Sequence, residues 1–515
     1  MSIPALGDLP LAVKVAQLFC LALPSSDAEA CRTACDDLRE HAWGGFIFDK
    51  RRDDRGLLER LREAAPIPLL VAADLEMGTG QHFDEGSRFP HAMAFGATGN
   101  PDFAWHLGRL TALEARSVGV NWVLAPVADV NSNPDNPIIN VRSFGGDPEQ
   151  VAAFVAAFVR GCEAHGAIAC AKHFPGHGDT SDDSHSRLAT VNTTSERLAA
   201  LEWVPFEAAI AAGVGSVMSA HVAVPALDPS GRPATLSAPI LQGALRGRLG
   251  YEGLVVSDAL IMGGVTGTFG EAETAVEALK AGCDVLLMPP NPKGALEAVL
   301  VAVASGELKE ARIDEALTRV LALKRRVLAT TPDVQAHALR HEAETLARDV
   351  AAGALTVLHA RPEALPLVLS AAVHLVVDDD GDDEAYAPWV EALRARGFAA
   401  PEVIRRASTA EELAAIASRM QPGQPVLCGV FSTIKAWKER IDLAPDHAAF
   451  LERLGSLGHA VYAVSFSNPY LARQLPGAAA FVCAYSDHPA SQQAALAGLA
   501  GEVPMGGRLP VALGV

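Results

Sequence analysis

Residues 172–185, KHFPGHGDTSDDSH, place a lysine, three histidines and three aspartates within one short segment. The apolar run AIACA at 167–171 leads directly into it, a pattern typical of a buried strand that ends in a functional loop. Titratable groups at this density do not belong to a packed core, because each buried one needs its own partner. The restricted Phe174-Pro175-Gly176 insert is also atypical of a solvated surface loop. The segment predicts a functional site.

Asp183 and His185 are the candidates for proton transfer. They are two residues apart, so a turn can bring the carboxylate to one ring nitrogen of the imidazole. The carboxylate would fix the tautomer and leave the other nitrogen to exchange a proton with substrate, as a general acid/base near neutral pH requires. The structural alternative is an Asx-turn followed by a surface histidine.

Asp258 stands where the hydrophobic run GLVVSDAL, residues 253–260, ends. A carboxylate at such a strand end can act as a covalent nucleophile or as an electrostatic stabiliser. A helix N-cap is the structural alternative. An imidazole near Asp258 would avoid bringing two carboxylates together, so both groups would begin in useful protonation states.

Five further residues are candidates for binding polar substrate groups. Lys172 and His173 offer a point charge and a donor for hydroxyl groups. Arg142, in NVRSFGGDP, can make bidentate contacts, with a structural ion pair as the alternative. Asp74 can accept two adjacent hydroxyls at the end of an apolar run. His221 could either bind the substrate or support its own loop.

A metal site built from the histidines and aspartates of residues 173–185 is the competing hypothesis. Their spacing matches neither H-E-x-x-H nor C-x-x-C, and the Pro and Gly of the segment position the side chains differently from those motifs. The sequence therefore predicts neither a metal nor a cofactor.

Eight short apolar runs alternate with helix-length segments through the first two thirds of the chain, which predicts a (β/α)₈ barrel. A Rossmann-type sheet is the rival, but no G-x-G-x-x-G follows a first strand. Uneven spacing predicts insertions after the third and fifth strands. The runs span residues 15–23, 44–49, 68–76, 120–129, 167–174, 216–222, 253–260 and 284–289.

A second, smaller α/β sandwich domain with a largely parallel sheet is predicted after a linker at 330–341. Its apolar runs are residues 372–380, 424–430, 460–467 and 479–486. The predicted domains are residues 1–335 and 336–515.

A formal net charge of -19, without a basic patch, argues against nucleic acid and anionic membranes as partners. The first twenty residues do not resemble a signal peptide, and no apolar run reaches the length of a membrane span. Eight scattered cysteines, several in apolar runs, are typical of reduced thiols. The sequence predicts a cytoplasmic protein.

The run K-H-F-P-G-H-G-D-T followed by D-S-H resembles glycoside hydrolase family 3, in particular its bacterial β-N-acetylglucosaminidase branch. The resemblance extends over nearly the whole chain. The other matching segments are ADLEMG at 73–78, NVRSFG at 140–145, MSAHV at 218–222, VVSDALIMGG at 255–264, and the tail segments 467–486 and 506–511.

That resemblance implies retaining hydrolysis of a terminal β-linked N-acetylglucosamine in a cell-wall (muropeptide) or chitin-derived oligosaccharide. It implies Asp258 as the nucleophile and His185, oriented by Asp183, as the acid/base. It also assigns the sugar contacts to Asp74, Arg142, Lys172 and His173.

The chain departs from the family pattern at MGTGQHF, residues 77–83, where His82 falls near the expected position of an arginine. We therefore expect His82 to contact substrate and to influence sugar preference. The alternatives are a β-glucosidase or β-xylosidase of the same family, a phosphorolytic enzyme, and a non-catalytic sugar-binding protein. The sequence gives no indication of oligomeric state.

Overall fold

The computed structural model describes residues 3–25, 27–48, 55–184, 186–266, 269–330, 336–434, 438 and 440–514. Contacts divide the chain into two compact units. The first comprises Met1–Arg88, Ala104–Val130 and Val151–Ala343, and the second comprises Phe89–Phe103, Asn131–Gln150 and Glu344–Val515.

The first unit contains a parallel eight-stranded sheet in the order β10-β1-β2-β3-β4-β5-β7-β9. Phe19 pairs with Leu286, and a bridge between Val256 and Val285 joins the two remaining edges, so the sheet closes into a barrel. The predicted (β/α)₈ fold is confirmed, with one barrel strand in each predicted run. Strands β6 and β8 form a separate pair. The strands are β1 (Phe19–Ala22), β2 (Gly45–Phe48), β3 (Leu70–Ala73), β4 (Trp122–Val123), β5 (Ile168–Phe174), β6 (Ala189–Thr190), β7 (Ser216–Ser219), β8 (Val222–Ala223), β9 (Leu254–Val256) and β10 (Leu286–Leu287).

The barrel strands are short and almost wholly buried, as expected of parallel strands covered by helices. All seven residues of β5 are buried, including Lys172 and His173 at its carboxyl end. The helices through residue 354 are α1 (Leu11–Ala16), α2 (Ala28–His41), α3 (Arg55–Ala64), α4 (Ala92–Thr98), α5 (Pro101–Ser117), α6 (Pro148–Glu163), α7 (Ser195–Ala200), α8 (Val204–Ala211), α9 (Gly263–Thr266), α10 (Glu271–Ala281), α11 (Pro292–Ala304), α12 (Glu310–Ala329) and α13 (Ala336–Ala354). Shorter turns are 3₁₀ at Leu6–Asp8, Thr79–Gln81, Asn140–Arg142, Ala234–Leu236, Leu369–Ala371 and Pro469–Gln474, and π-helical at Pro239–Arg248.

Buried Asp284 ties the amino-terminal end of the barrel together. Its carboxylate accepts hydrogen bonds from Arg246 at 2.8 Å, Arg312 at 2.6 Å and Arg319 at 3.1 Å. It also accepts the Val255 backbone N–H at 2.9 Å. One carboxylate thus joins β9, the π-helical turn and α12, at the end of the barrel opposite the strand ends where the predicted site lies.

The second unit contains a six-stranded sheet in the order β11-β16-β15-β14-β12-β13, parallel except for β11. Apolar clusters lie on both faces, one with Trp389 and Leu496 and the other with Phe450 and Phe481, which makes it an α/β sandwich. Its elements are β11 (Thr356–Ala360), β12 (Val373–Asp378), α14 (Asp383–Ala395), β13 (Glu402–Arg405), α15 (Ala410–Ser418), β14 (Val426–Phe431), α16 (Pro445–Ser456), β15 (Val461–Ser465), β16 (Ala480–Cys483) and α17 (Pro489–Leu499).

The predicted linker at 330–341 is only partly accounted for. Its residues 331–335 lie outside the described residues, and from Ala336 onward the chain is helical in α13. The domain limits 1–335 and 336–515 stay a prediction. Among the described residues, no helix is both long enough and apolar enough to cross a membrane.

Replacing Asp284 with Asn should lower the free energy of unfolding of the barrel by about 3–5 kcal/mol, because three guanidinium groups lose the carboxylate that compensates their burial. Denaturant unfolding monitored by fluorescence measures the change. Asp36→Asn is the matched control, since the Arg39–Asp36 pair is exposed and we expect no measurable change. Equal stability of the two variants would contradict this account of the barrel end.

Candidate active site

The carboxyl ends of the barrel strands carry most of the predicted site residues. Asp74 directly follows β3, Lys172 and His173 lie at the end of β5, and Asp258 lies two residues beyond β9. Asp129 follows β4, where Val127 forms a parallel bridge with Lys172. Barrel closure therefore assembles at one end residues that are far apart in the chain, as expected for this fold.

Lys172 is a buried cation held between two carboxylates. Its Nζ lies 2.6 Å from Asp74 Oδ1 and 2.7 Å from Glu76 Oε1. The Lys172 side chain is 2% exposed, whereas that of Asp74 is 40% exposed. Asp74 thus presents an oriented carboxylate to solvent, which suits the acceptance of hydrogen bonds from sugar hydroxyls.

His173 is oriented by Asp129, which is fully buried. Its Nδ1 lies 2.7 Å from Asp129 Oδ2, so Nδ1 carries the proton and donates it to the carboxylate. In the neutral form of the ring the lone pair lies on Nε2, where it can accept a hydrogen bond. Burial alone would raise the pKa of Asp129, but the interactions with His173 and His177 outweigh it and hold that pKa below its ordinary value.

Asp258 is partly buried, and its Oδ1 accepts the backbone N–H of Ala259 at 2.8 Å. His221 donates from Nε2 to the carbonyl oxygen of Ala259 at 3.0 Å, while its Nδ1 lies 2.9 Å from Thr235 Oγ1. The position of His221 therefore supports the backbone beside Asp258. A contact between His221 and substrate stays a prediction.

Asp258 and Asp74 both act electrostatically on the interior of the barrel. Burial is the main reason that the pKa of the Cys170 thiol is raised to about 12; Ser216 and Lys172 lower this pKa, and both carboxylates contribute to raising it. Asp258 also acts on the His177 imidazole. The Asp258 carboxylate therefore influences the pKa of groups both in β5 and in the 172–185 segment.

Asp183 is buried, and its carbonyl oxygen accepts the backbone N–H groups of Ser186 and Arg187 at 3.0 and 3.2 Å. Ser184 is buried beside it. His185, the predicted acid/base, lies outside the described residues. The predicted pairing of Asp183 with His185 stays a prediction.

Two predicted substrate contacts, His82 and Arg142, differ in their hydrogen bonding. His82 follows the turn Thr79–Gln81, and among the described residues neither of its buried ring nitrogens has a hydrogen-bond partner. An imidazole whose ring nitrogens lack protein partners can bind a polar group of a ligand. Arg142 lies in the second unit, where its Nη1 donates to the carbonyl oxygen of Ile138 at 3.1 Å. Both contacts stay predictions.

Residues that the sequence did not assign also support the site. Asp129 ends an apolar run and His177 lies within the 172–185 motif. Their hydrogen bond, from the His177 backbone N–H to the Asp129 carboxylate, is seen only in the folded chain. Glu202 follows α7 without any motif, yet it is buried and neither carboxyl oxygen has a hydrogen-bond partner among the described residues. The Arg197 guanidinium lies 3.7 Å from Glu202 Oε1.

Glu202 packs beneath the Pro175-Gly176 turn. Gly176 has a φ of +121°, and a Cβ there would meet Glu202 Cβ at 2.7 Å, so both the backbone conformation and the space require glycine. Burial raises the pKa of Glu202 to about 7, although Arg197 lowers it in part.

One possible group of metal ligands occurs in the described part of the chain. Asp37, Glu40 and His41 have ligand atoms within 4.8 Å of one another on α2. Lys293 already pairs with Asp37 at 2.6 Å. This group does not include any predicted site residue.

The family model for the glycosyl hydrolase family 3 N-terminal domain matches residues 12–323, well over half of the chain. The chain belongs to glycoside hydrolase family 3. It is therefore an enzyme of the glycoside hydrolase class, as the sequence predicted.

Relatives of this family 3 chain extend over both units. A β-N-acetylglucosaminidase/β-glucosidase from Cellulomonas fimi is 32% identical over 97% of this chain and 93% of its own length. A solved β-N-acetylglucosaminidase from Paenibacillus sp. str. FPU-7 is 33% identical, with a TM-score of 0.87 and coverage of 98% of this chain and 99% of its own. The solved β-glucoside phosphorylase BglX is 25% identical, with a TM-score of 0.85 and coverage of 99% and 95%.

Glu202→Gln should stabilise the protein at high pH and not at low pH. Because the folded pKa is about 7 and the unfolded value lies near 4.3, the folded state binds more protons between these values, and stability falls as pH rises through that window. Gln removes this penalty, worth about 3 kcal/mol above pH 7. Thermal unfolding at about pH 5 and pH 8 measures the difference. The control is the exposed Glu207→Gln, and a stabilisation independent of pH would contradict the assignment.

Proposed function

We propose that this chain is a retaining exo-β-N-acetylglucosaminidase in which Asp258 is the nucleophile. The observation that carries the proposal is the meeting, at one end of a closed barrel, of Asp258 with the oriented groups Asp74, Lys172 and His173. A carboxylate beside a set of hydroxyl-binding groups is what attack on a glycosidic carbon requires.

In the first step, an Asp258 oxygen forms a bond to the anomeric carbon as the bond to the leaving oxygen breaks. His185, oriented by Asp183, gives its proton to that oxygen. In the second step, His185 takes a proton from water, which attacks the anomeric carbon and releases Asp258. The products are N-acetylglucosamine and the shortened oligosaccharide.

The remaining predicted residues bind the sugar. Asp74 accepts from hydroxyls through its exposed carboxylate, and His173 accepts through Nε2, since Asp129 holds its other nitrogen. Lys172 keeps Asp74 and Glu76 in place and balances part of their charge. Arg142, His82 and His221 complete the proposed set of sugar contacts.

The N-acetylglucosaminyl preference is supported by the names of the relatives from Cellulomonas fimi and Paenibacillus. We propose a muropeptide or chitin-derived oligosaccharide as substrate, in a cytoplasmic role that recycles cell-wall fragments. All eight cysteines are buried thiols outside any disulfide, which suits a reducing compartment.

Phosphate is a second candidate acceptor. An imidazole acid/base leaves the acceptor side less negative than a second carboxylate would, so an anion can approach. The similarity to a β-glucoside phosphorylase favours the same possibility. A phosphorolytic enzyme would use the same Asp258 intermediate and would release a glycosyl phosphate.

Asp258→Ala should reduce release of nitrophenol from nitrophenyl N-acetyl-β-glucosaminide by a factor of at least about 10⁴, because no covalent intermediate can form. Initial rates on a panel of nitrophenyl β-glycosides measure both the loss and the sugar preference. Asp182→Ala, a partly exposed neighbour of the proposed dyad, is the control for folding.

Turnover retained by Asp258→Ala would exclude Asp258 as the nucleophile. Preference for the glucoside or xyloside over the N-acetylglucosaminide would overturn the proposed substrate. Product identification with and without phosphate, in the same assay, assigns the acceptor: free N-acetylglucosamine in both cases means hydrolysis, and a glycosyl phosphate means phosphorolysis.

A further inference from the structure

His177 lies at the centre of the 172–185 segment, and nothing in the mechanism above uses it. It is buried, as are its partners Asp129, Thr180 and Ser184. Its backbone N–H donates to Asp129 Oδ1 at 2.7 Å, while the other carboxylate oxygen accepts from His173. One carboxylate therefore fixes both His173 and the backbone of His177.

The His177 ring has a protein partner on each nitrogen. Nδ1 lies 2.8 Å from Thr180 Oγ1, and Nε2 lies 2.8 Å from Ser184 Oγ. The Thr180 hydroxyl donates its proton to the carbonyl oxygen of His177 at 3.0 Å, so it must accept from the ring. Nδ1 therefore carries the ring proton, and Nε2 accepts from the hydroxyl of Ser184.

This arrangement requires a neutral ring. Protonation of Nε2 would turn the acceptor for Ser184 into a second donor. Burial lowers the pKa of His177 to about 4, although Asp129 partly opposes the shift. The groups facing the ring are Asp129, His173 and, electrostatically, Asp258. At neutral pH the ring stays in the state that holds Ser184.

Ser184 connects this network to the proposed proton-transfer groups. It stands between Asp183 and His185 in the chain. Its hydroxyl is held by His177, and its carbonyl oxygen accepts the backbone N–H of Gly264 at 3.2 Å. A Cβ on residue 264 would meet that oxygen at 2.9 Å, so glycine permits the approach. Gly264 belongs to the segment that leaves Asp258.

We propose that His177 is a positioning residue for proton transfer: its ring fixes Ser184, which stands in the chain between Asp183 and His185, the two residues proposed to carry out that transfer. This inference rests on the proposed function, because it assumes that the dyad is the acid/base. A purely structural His177 would matter equally for all substrates. A positioning residue matters most when the leaving group needs a proton.

The test compares kcat/KM for two aryl N-acetyl-β-glucosaminides, one with an activated dinitrophenyl leaving group and one with unsubstituted phenyl. Only the phenyl substrate depends strongly on protonation of its leaving oxygen. His185→Ala is the reference and should slow the phenyl substrate by at least about 100-fold relative to the dinitrophenyl substrate.

His177→Phe should show the same selective loss, about 100-fold for phenyl and only a few-fold for dinitrophenyl, since a misplaced catalytic group costs about that much. His177→Gln, whose amide oxygen can accept a hydrogen bond from Ser184, should recover part of the loss.

Ser184→Ala removes the same hydrogen bond from its other end and should lower kcat/KM for the phenyl substrate about 10-fold. This variant keeps the test valid if His177→Phe does not fold. His165→Phe is the matched control, since the His165 ring donates from Nδ1 to the carbonyl oxygen of Gly161 and belongs to the turn before β5, outside the 172–185 segment.

The outcomes separate the two proposals. If His185→Ala is selective while His177→Phe and Ser184→Ala slow both substrates equally or neither, the dyad stands and the role of His177 is wrong. If His185→Ala itself shows no selectivity, the acid/base assignment fails, and the positioning role fails with it. Selectivity in all three variants, with recovery in His177→Gln, supports both.

Discussion

Asp129 is fully buried, and its two carboxylate oxygens hold the residues on which the site depends. One oxygen sets the tautomer of His173, and the other holds the backbone of His177. A buried carboxylate is stable only when such bonds compensate its lost hydration. The proposed sugar-binding histidine and the segment leading to the proposed dyad are therefore fixed by the same charge, and loss of that charge would disturb both.

The site combines two kinds of electrostatic support. Lys172 shares its charge between Asp74 and Glu76, so the three groups together keep an excess of negative charge beside the end of β5. His177 stays neutral and holds Ser184 through directional hydrogen bonds alone. Ion pairs thus orient the proposed sugar-binding groups, whereas hydrogen bonding to an uncharged ring orients Ser184, which adjoins the residues proposed to exchange protons.

Much of this arrangement could be predicted from the sequence. Eight apolar runs of strand length predicted the barrel. A polar residue ends several of these runs, and this change from apolar to polar located the strand ends that carry Asp74, Lys172 and Asp258. The roles of Asp129, His177 and Glu202 could not be predicted, since they depend on contacts between segments that periodicity does not relate. The strands Thr356–Ala360 and Glu402–Arg405 were also missed. Both lie at sheet edges, where exposed residues weaken the apolar pattern.

The proposed mechanism requires a covalent bond between Asp258 and the sugar. The most direct measurement is mass spectrometry of peptides from enzyme quenched during turnover of a ring-fluorinated N-acetylglucosaminyl substrate, because fluorine slows release of the intermediate. The account predicts a single sugar adduct on the peptide that contains Asp258. An adduct on Asp74 or Glu76, or turnover of the substrate without any adduct, would contradict it.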